Sequence, residues 1–131
     1  MALAAEPSAV GCARLLVRTT LAAWRLPELA DDASLVVSEL VANAVAATGH
    51  ASRWAPGLSL LHVRMLWLPS SVAIEVADVS REEPVLHAFD PEAEGGRGLQ
   101  LVAGVASRWG SAPAPWGKVV WAELPPFPVP R

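Results

Sequence analysis

A two-layer α/β sandwich of the α+β class is the fold that the sequence predicts, with about three helices on one face of a mixed, mostly antiparallel sheet. Three observations predict it. Helical periodicity governs residues 8–24 and again residues 28–49. Period-two alternation then takes over at 58–67 and 71–78, and returns near the C-terminus in GKVVWAEL. Between the two sets of strands, a loop-like stretch feeds a third apolar helix. The order helix, helix, strands, loop, helix, strands sets helices against one face of a sheet. It lacks the regular strand–helix alternation of a doubly wound fold.

Ser8 is positioned to cap the first helix, which runs to about Trp24 with Val10, Ala13, Val17, Leu21 and Trp24 on one face. Leu26–Pro27 breaks it. The second helix begins near Glu28, carries Asp31 and Asp32 close to its positive end, and continues through LVVSELVANAVAA to a stop at Gly49. GHASRWAPG, 49–57, reads as a loop. In the first strand Leu61, Val63, Met65 and Trp67 alternate with Leu60, His62, Arg64 and Leu66. After a turn at Pro69-Ser70, Val72, Ile74 and Val76 point one way, and Ala73, Glu75 and Ala77 the other. Residues 79–96 hold two prolines, five acidic residues and a glycine pair, as a loop would. A third helix runs from Arg97 or Gly98 to about Ser107. RWGSA and GKVVWAEL form the last strand pair, around a turn near Pro113–Gly117.

With 131 residues and no internal repeat, the chain reads as one domain, 1–131, with its core at about 8–124 and a proline-rich tail at 125–131. The net charge is −3 and the ten basic residues are scattered, which excludes a direct nucleic-acid surface of the usual basic kind. Cys12 is the single cysteine, so no intramolecular disulfide forms; it is expected as a small buried hydrophobe on its helix, in a reducing compartment. MALAAEPSAV has no basic leader and meets Glu6 and Pro7 before an apolar run develops. The apolar stretches are interrupted by Glu39, Asn43, His62 or Arg64, so no membrane span is expected, and a cytoplasmic location is. A hydrophobic share of 53% leaves little solvated surface and points to a face covered by a partner.

Three features carry chemistry. Glu39 and Asn43 lie one turn apart on a helix that is otherwise apolar. They are either a polar stripe on its exposed face or a metal-and-base pair, the amide oxygen holding Mg²⁺ and the carboxylate orienting a hydroxyl or water. Asp78 falls in phase with Val72, Ile74 and Val76 at the end of an inward-facing row. It either caps the following turn or accepts a hydrogen bond from a ligand amino group at the rim of the core. In EGGRGLQLV, 94–102, glycines precede a nearly all-apolar helix whose first amides have no intrahelical partner. Glycines there either punctuate the helix start or let a phosphate reach those amides. His50, His62 and His87 show no metal-ligand spacing with one another or with Cys12. The six tryptophans read as core and interface filler, and Trp121 puts a large aromatic on one sheet face that is either core or dimer surface.

LVVSELVANAV, VADVS, EGGRGLQLV and GKVVWAEL, in that order, resemble the GHKL (histidine-kinase-like) ATPase domain over about residues 8–124. The resemblance is in particular to the small bacterial anti-sigma-factor serine/threonine kinases and their actinobacterial ATP-binding relatives. It implies the histidine-kinase-like ATPase fold, ATP and Mg²⁺ as cofactors, and regulation of transcription. A sigma factor and an antagonist protein would be the partners, and a homodimer through the sheet or the N-terminal helix is expected, with no membrane. By the resemblance Glu39 is the catalytic acid of the N-box and Asn43 the Mg²⁺ ligand. Asp78 binds the adenine amino group, and 79–96 form the lid over ATP. Gly96 and Gly98 would admit the phosphates at the helix start, with Leu99 in the same ATP-binding turn. Arg97 and Lys118 are the nearest candidate cations, each either a phosphate contact or an ordinary surface residue. The chain departs from relatives at three places. The glycines that follow the aspartate are Ser80 and Glu82 here, Ala46 and Ala47 replace basic residues, and Val119 stands for a threonine of the last strand pair. These departures set a second expectation beside the kinase, a non-catalytic interaction module that keeps the fold.

Overall fold

The computed structural model describes residues 1–51, 60–79 and 97–125, with backbone alone at 49–51 and 97–100. Helix α1, Ala9–Ala23, buries Ala9, Ala13, Val17 and Leu21, a stripe advancing by four that turns one face to the core. Cys12 lies off that stripe and is exposed, contrary to the expectation that it is a buried hydrophobe. Ser8 also differs from expectation. Its backbone is already helical, φ −62° and ψ −19°, and its side chain makes no capping hydrogen bond. The extended backbone from which a hydroxyl reaches the first amides is absent.

The end of α1 is a Schellman turn that the sequence reading missed. Arg25 takes φ 60°, Leu26 N–H donates to Leu21 C=O at 2.9 Å and Arg25 N–H to Ala22 C=O at 3.1 Å. That closure drops Leu26 into the core. A single 3₁₀ turn, Pro27–Leu29, leads into α2, Ala30–Ala51, with Asp31 and Asp32 in its first turn. The backbone stays helical through Gly49 instead of stopping there. A glycine inside a helix costs only about 1 kcal/mol relative to alanine, too little to end a well-packed helix.

The sheet has the order β1-β2-β3-β5-β4, and every pairing is antiparallel. Its strands are β1 Ala2–Ala4, β2 Leu60–Trp67, β3 Val72–Asp78, β4 Arg108–Ala114 and β5 Gly117–Leu124, with α3 at Arg97–Val105 preceding β4. Strand β1 was not legible in the sequence, because three residues are too few to show alternation. It is held by the Met1 amine, which donates to Val63 C=O at 2.7 Å, and by Val63 N–H, which donates to Met1 C=O at 2.9 Å.

One sheet face packs on the helices. Leu61, Val63, Val72, Ile74, Val76, Val120, Ala122 and Leu124 meet Val17, Leu21, Val36, Val37, Leu40 and Val41 in a single core, with Val102 of α3 included. Each valine, leucine or isoleucine among them, removed from water, stabilises by about 1.5–3 kcal/mol. The outer face carries cross-strand ion pairs, Arg64–Glu75 at 2.7 Å and Arg108–Glu123 at 3.8 Å. It also carries Trp121, whose ring covers Gly110 closely enough that a Cβ there would sit 2.9 Å from it. Among the described residues no helix is long and apolar enough to cross a membrane.

Candidate nucleotide site

Helix α2 packs against α1, α3 and β3, and its residue spacing sets what each side chain meets. Val36, Val37, Leu40, Val41 and Ala44 are buried. Glu39 is half-buried and Asn43 exposed, one turn further along. The two thus occupy the border of the buried stripe, where a carboxylate and an amide keep access to solvent or ligand while the helix itself is fixed. Ala46 is exposed and Ala47 half-buried, so the turn after Asn43 offers no cation.

Asp78 ends β3 on the core-facing side, 1% exposed, in phase with Val76. Opposite it in register on β5 is Lys118, 6% exposed, whose Nζ donates to Asp78 Oδ1 at 3.1 Å. Two charges withdrawn this far from water persist only as a partnered pair. The strand approach that makes the pair depends on Gly117. A Cβ at that position would collide with the Asp78 carbonyl oxygen and lie 2.7 Å from Val79 Cα.

Lys118, read from the sequence as either a cation near the phosphates or an ordinary surface residue, is instead buried and paired with Asp78. A signal was available, since Lys118 falls in phase with Val120, Ala122 and Leu124, the inward row of β5. The same phase turns Val119 the other way. It projects from the other side of the strand and lines the outer face, so it does not meet the Asp78 carboxylate. The residue that faces Asp78 across the ladder is Lys118.

Arg97, Gly98 and Leu99 form the first turn of α3, where backbone amides lack intrahelical partners and the helix dipole is positive. Their side chains, and Gly96 with the expected lid, lie outside the described residues. A separate cavity of about 720 Å³ opens on the outer sheet face, lined by His62, Arg64, Glu75, Ala77, Trp116 and Val119. It also touches Asp78, but its wall is the opposite side of the sheet from α2, the helix that carries Glu39 and Asn43.

A family model for the histidine kinase-like ATPase domain matches residues 3–123, from β1 into β5. The chain belongs to this family. No curated protein matches it. The matched span takes in α2 with Glu39 and Asn43, the end of β3 with Asp78, and the start of α3. Membership implies that this histidine kinase-like ATPase domain binds ATP. Its residues suit that group: a buried carboxylate–ammonium pair can meet a heterocycle edge, and a helix N-terminus can meet phosphates. Among the described residues no cluster of three His, Cys, Asp or Glu could hold a metal. The exposed Asn43 can supply one oxygen, which suits Mg²⁺, a cation that takes few protein ligands and keeps waters and phosphate oxygens for the rest.

Proposed function

We propose that this ATPase domain is a cytoplasmic ATP-binding regulator of the anti-sigma-factor kind, which sequesters a sigma factor and phosphorylates a serine or threonine of an antagonist protein. The observation that carries the nucleotide part is Asp78, buried at the end of β3 on the face that also packs on α2. In this reading Asp78 accepts from the adenine amino group, and the first amides of α3, at Arg97, Gly98 and Leu99, with Gly96 before them, hold the phosphates. Asn43 holds Mg²⁺. Bound ATP supplies the transferable phosphoryl group, and Mg²⁺ neutralises its charge. Glu39 would orient the attacking hydroxyl and take its proton as the new bond to the γ-phosphorus forms and the bond from that phosphorus to the β–γ bridging oxygen breaks, ADP being the leaving group.

A second reading, a binding module without turnover, is favoured by Ala46 and Ala47, which leave the turn after Asn43 without a cation for the phosphates. Two measurements separate the readings. Isothermal titration with ATP and ADP, with and without Mg²⁺, tests binding. Single-turnover transfer of labelled γ-phosphate to candidate antagonists tests the enzyme. ATP binding with neither hydrolysis nor transfer, in the presence of a bound partner, overturns the kinase and leaves the module. Glu39→Gln should bind ATP normally and lose transfer, because it keeps the shape but removes the base.

The proposal includes a homodimer formed through the sheet. Its support is the outer face, where Leu60 and Trp116 stand exposed beside half-buried Val119 and Trp121. Light scattering at micromolar concentration should give twice the chain mass, and a monomer overturns it.

A further inference from the structure

The ion pair Asp78–Lys118 does more than end two strands. Arg64–Glu75 and Arg108–Glu123 lie on the outer face with arginines well exposed, whereas Asp78 and Lys118 lie in the core-facing rows of β3 and β5. Stability alone does not call for charges there, because an apolar pair of similar volume commonly serves as well or better. The chemistry of the two groups is complementary. A carboxylate only accepts, and its oxygens take several hydrogen bonds between them; an ammonium only donates, and it has three protons. One donor of Lys118 goes to Asp78 Oδ1 at 3.1 Å, which fixes the ammonium next to the acceptor without using its other protons on that atom. The neighbouring in-phase residues, Val76 and Val120, carry no side-chain donor. Among the described residues, Lys118 is a side-chain donor beside the acceptor at this end of the two strands.

We propose that Asp78 and Lys118 together read the edge of adenine, Asp78 accepting from the exocyclic amino group and Lys118 Nζ donating to ring nitrogen N1. This rests on the adenine-nucleotide reading of Asp78 and adds to it a specificity-determining lysine. Adenine presents a donor and an acceptor side by side, in the order the pair requires. Hypoxanthine presents a carbonyl and an N–H at the same two positions, which puts acceptor against Asp78 and donor against Lys118. Gly117 sets the register, since its missing Cβ lets β5 begin hard against the Asp78 backbone.

The test removes one ligand atom at a time. ADP, 1-deaza-ADP (no acceptor at N1) and purine riboside diphosphate (no amino group) are titrated into the wild-type protein, Lys118→Met and Lys118→Arg. Wild type should bind 1-deaza-ADP about tenfold or more weakly than ADP, the scale of one charge-assisted hydrogen bond. Lys118→Met should bind ADP more weakly and lose the discrimination, giving a ratio near one. A lysine that merely braces the strands would lower affinity for both ligands and leave the ratio unchanged. Lys118→Arg keeps the charge beside Asp78 and redirects its donors, so it should fold as wild type while its ratio shifts at least threefold. If Lys118→Met does not fold, wild type and Lys118→Arg still decide. Equal binding of ADP and 1-deaza-ADP by wild type, or an unchanged ratio in every folded variant, overturns the role of Lys118. Failure of the adenine reading itself looks different: wild type would then bind no ADP, or bind purine riboside diphosphate as tightly as ADP, and the proposal falls with it.

Discussion

Strand β3 holds two cross-strand ion pairs, one to each neighbour, and they differ in everything but chemistry. On the outer face Arg64 meets Glu75 through both Nε and Nη2, at 3.1 and 2.7 Å. On the core-facing side Lys118 meets Asp78 through one contact of 3.1 Å. By geometry the first pair is the better, being shorter and doubly bonded. By exposure the order reverses: the side chains of Arg64 and Glu75 are 65% and 23% exposed, those of Lys118 and Asp78 8% and 0%. An ion pair in water gains little over its hydrated parts, while a buried one cannot lose a partner without stranding a charge. Burial, not distance, decides which pair the protein depends on.

That ranking is open to direct attack by substitution, with stability read from denaturant midpoints at constant m-value. Lys118→Ala should be the most damaging, at about 3–5 kcal/mol, because it leaves the Asp78 carboxylate buried without its ammonium. Replacing both partners, as Asp78→Leu with Lys118→Met, should recover most of that loss; a double variant as unstable as Lys118→Ala would show that volume rather than charge matters. Gly117→Ala should cost about 1–3 kcal/mol, since the new methyl must push β5 off the Asp78 backbone. Wild-type stability in that variant would mean that the strand end yields freely. Arg64→Ala should cost about 0.2–1 kcal/mol, falling further as salt is added. A loss as large as that of Lys118→Ala would break the comparison outright.

Both pairs contain residues visible in the sequence, yet only part of their meaning was. Alternation in 71–78 turned Asp78 inward because four successive even positions obey one rule, and the structure keeps them on one face. The same counting applied to GKVVWAEL places Lys118 inward, but lysine is so seldom buried that burial was not among the readings the sequence suggested for it. Its partner lies 40 residues away in the chain, and only the β3–β5 register reveals the contact. Helices α1 and α2 were legible from their stripes. The Schellman turn at Arg25 was not, because the position usually calls for glycine and an arginine there gives no warning. For the candidate site, Glu39 and Asn43 could be placed on one helix face from spacing alone. How far each is buried depends on α1, α3 and β3 packing around that helix, which no local pattern encodes.

Trp24, at the end of α1, and Trp67, at the end of β2, have ring centroids 5.5 Å apart with their planes inclined by 32°. Two indoles that close couple their electronic transitions, and a coupled pair held at a fixed tilt gives a circular-dichroism couplet that separated indoles lack. The couplet therefore exists only while the helix layer is docked on the sheet. It belongs to the opposite end of β3 from Asp78, since Trp67 pairs with Val72, the first residue of that strand. The molecule thus carries an optical signature of its assembled layers, built at the end of β3 away from Asp78.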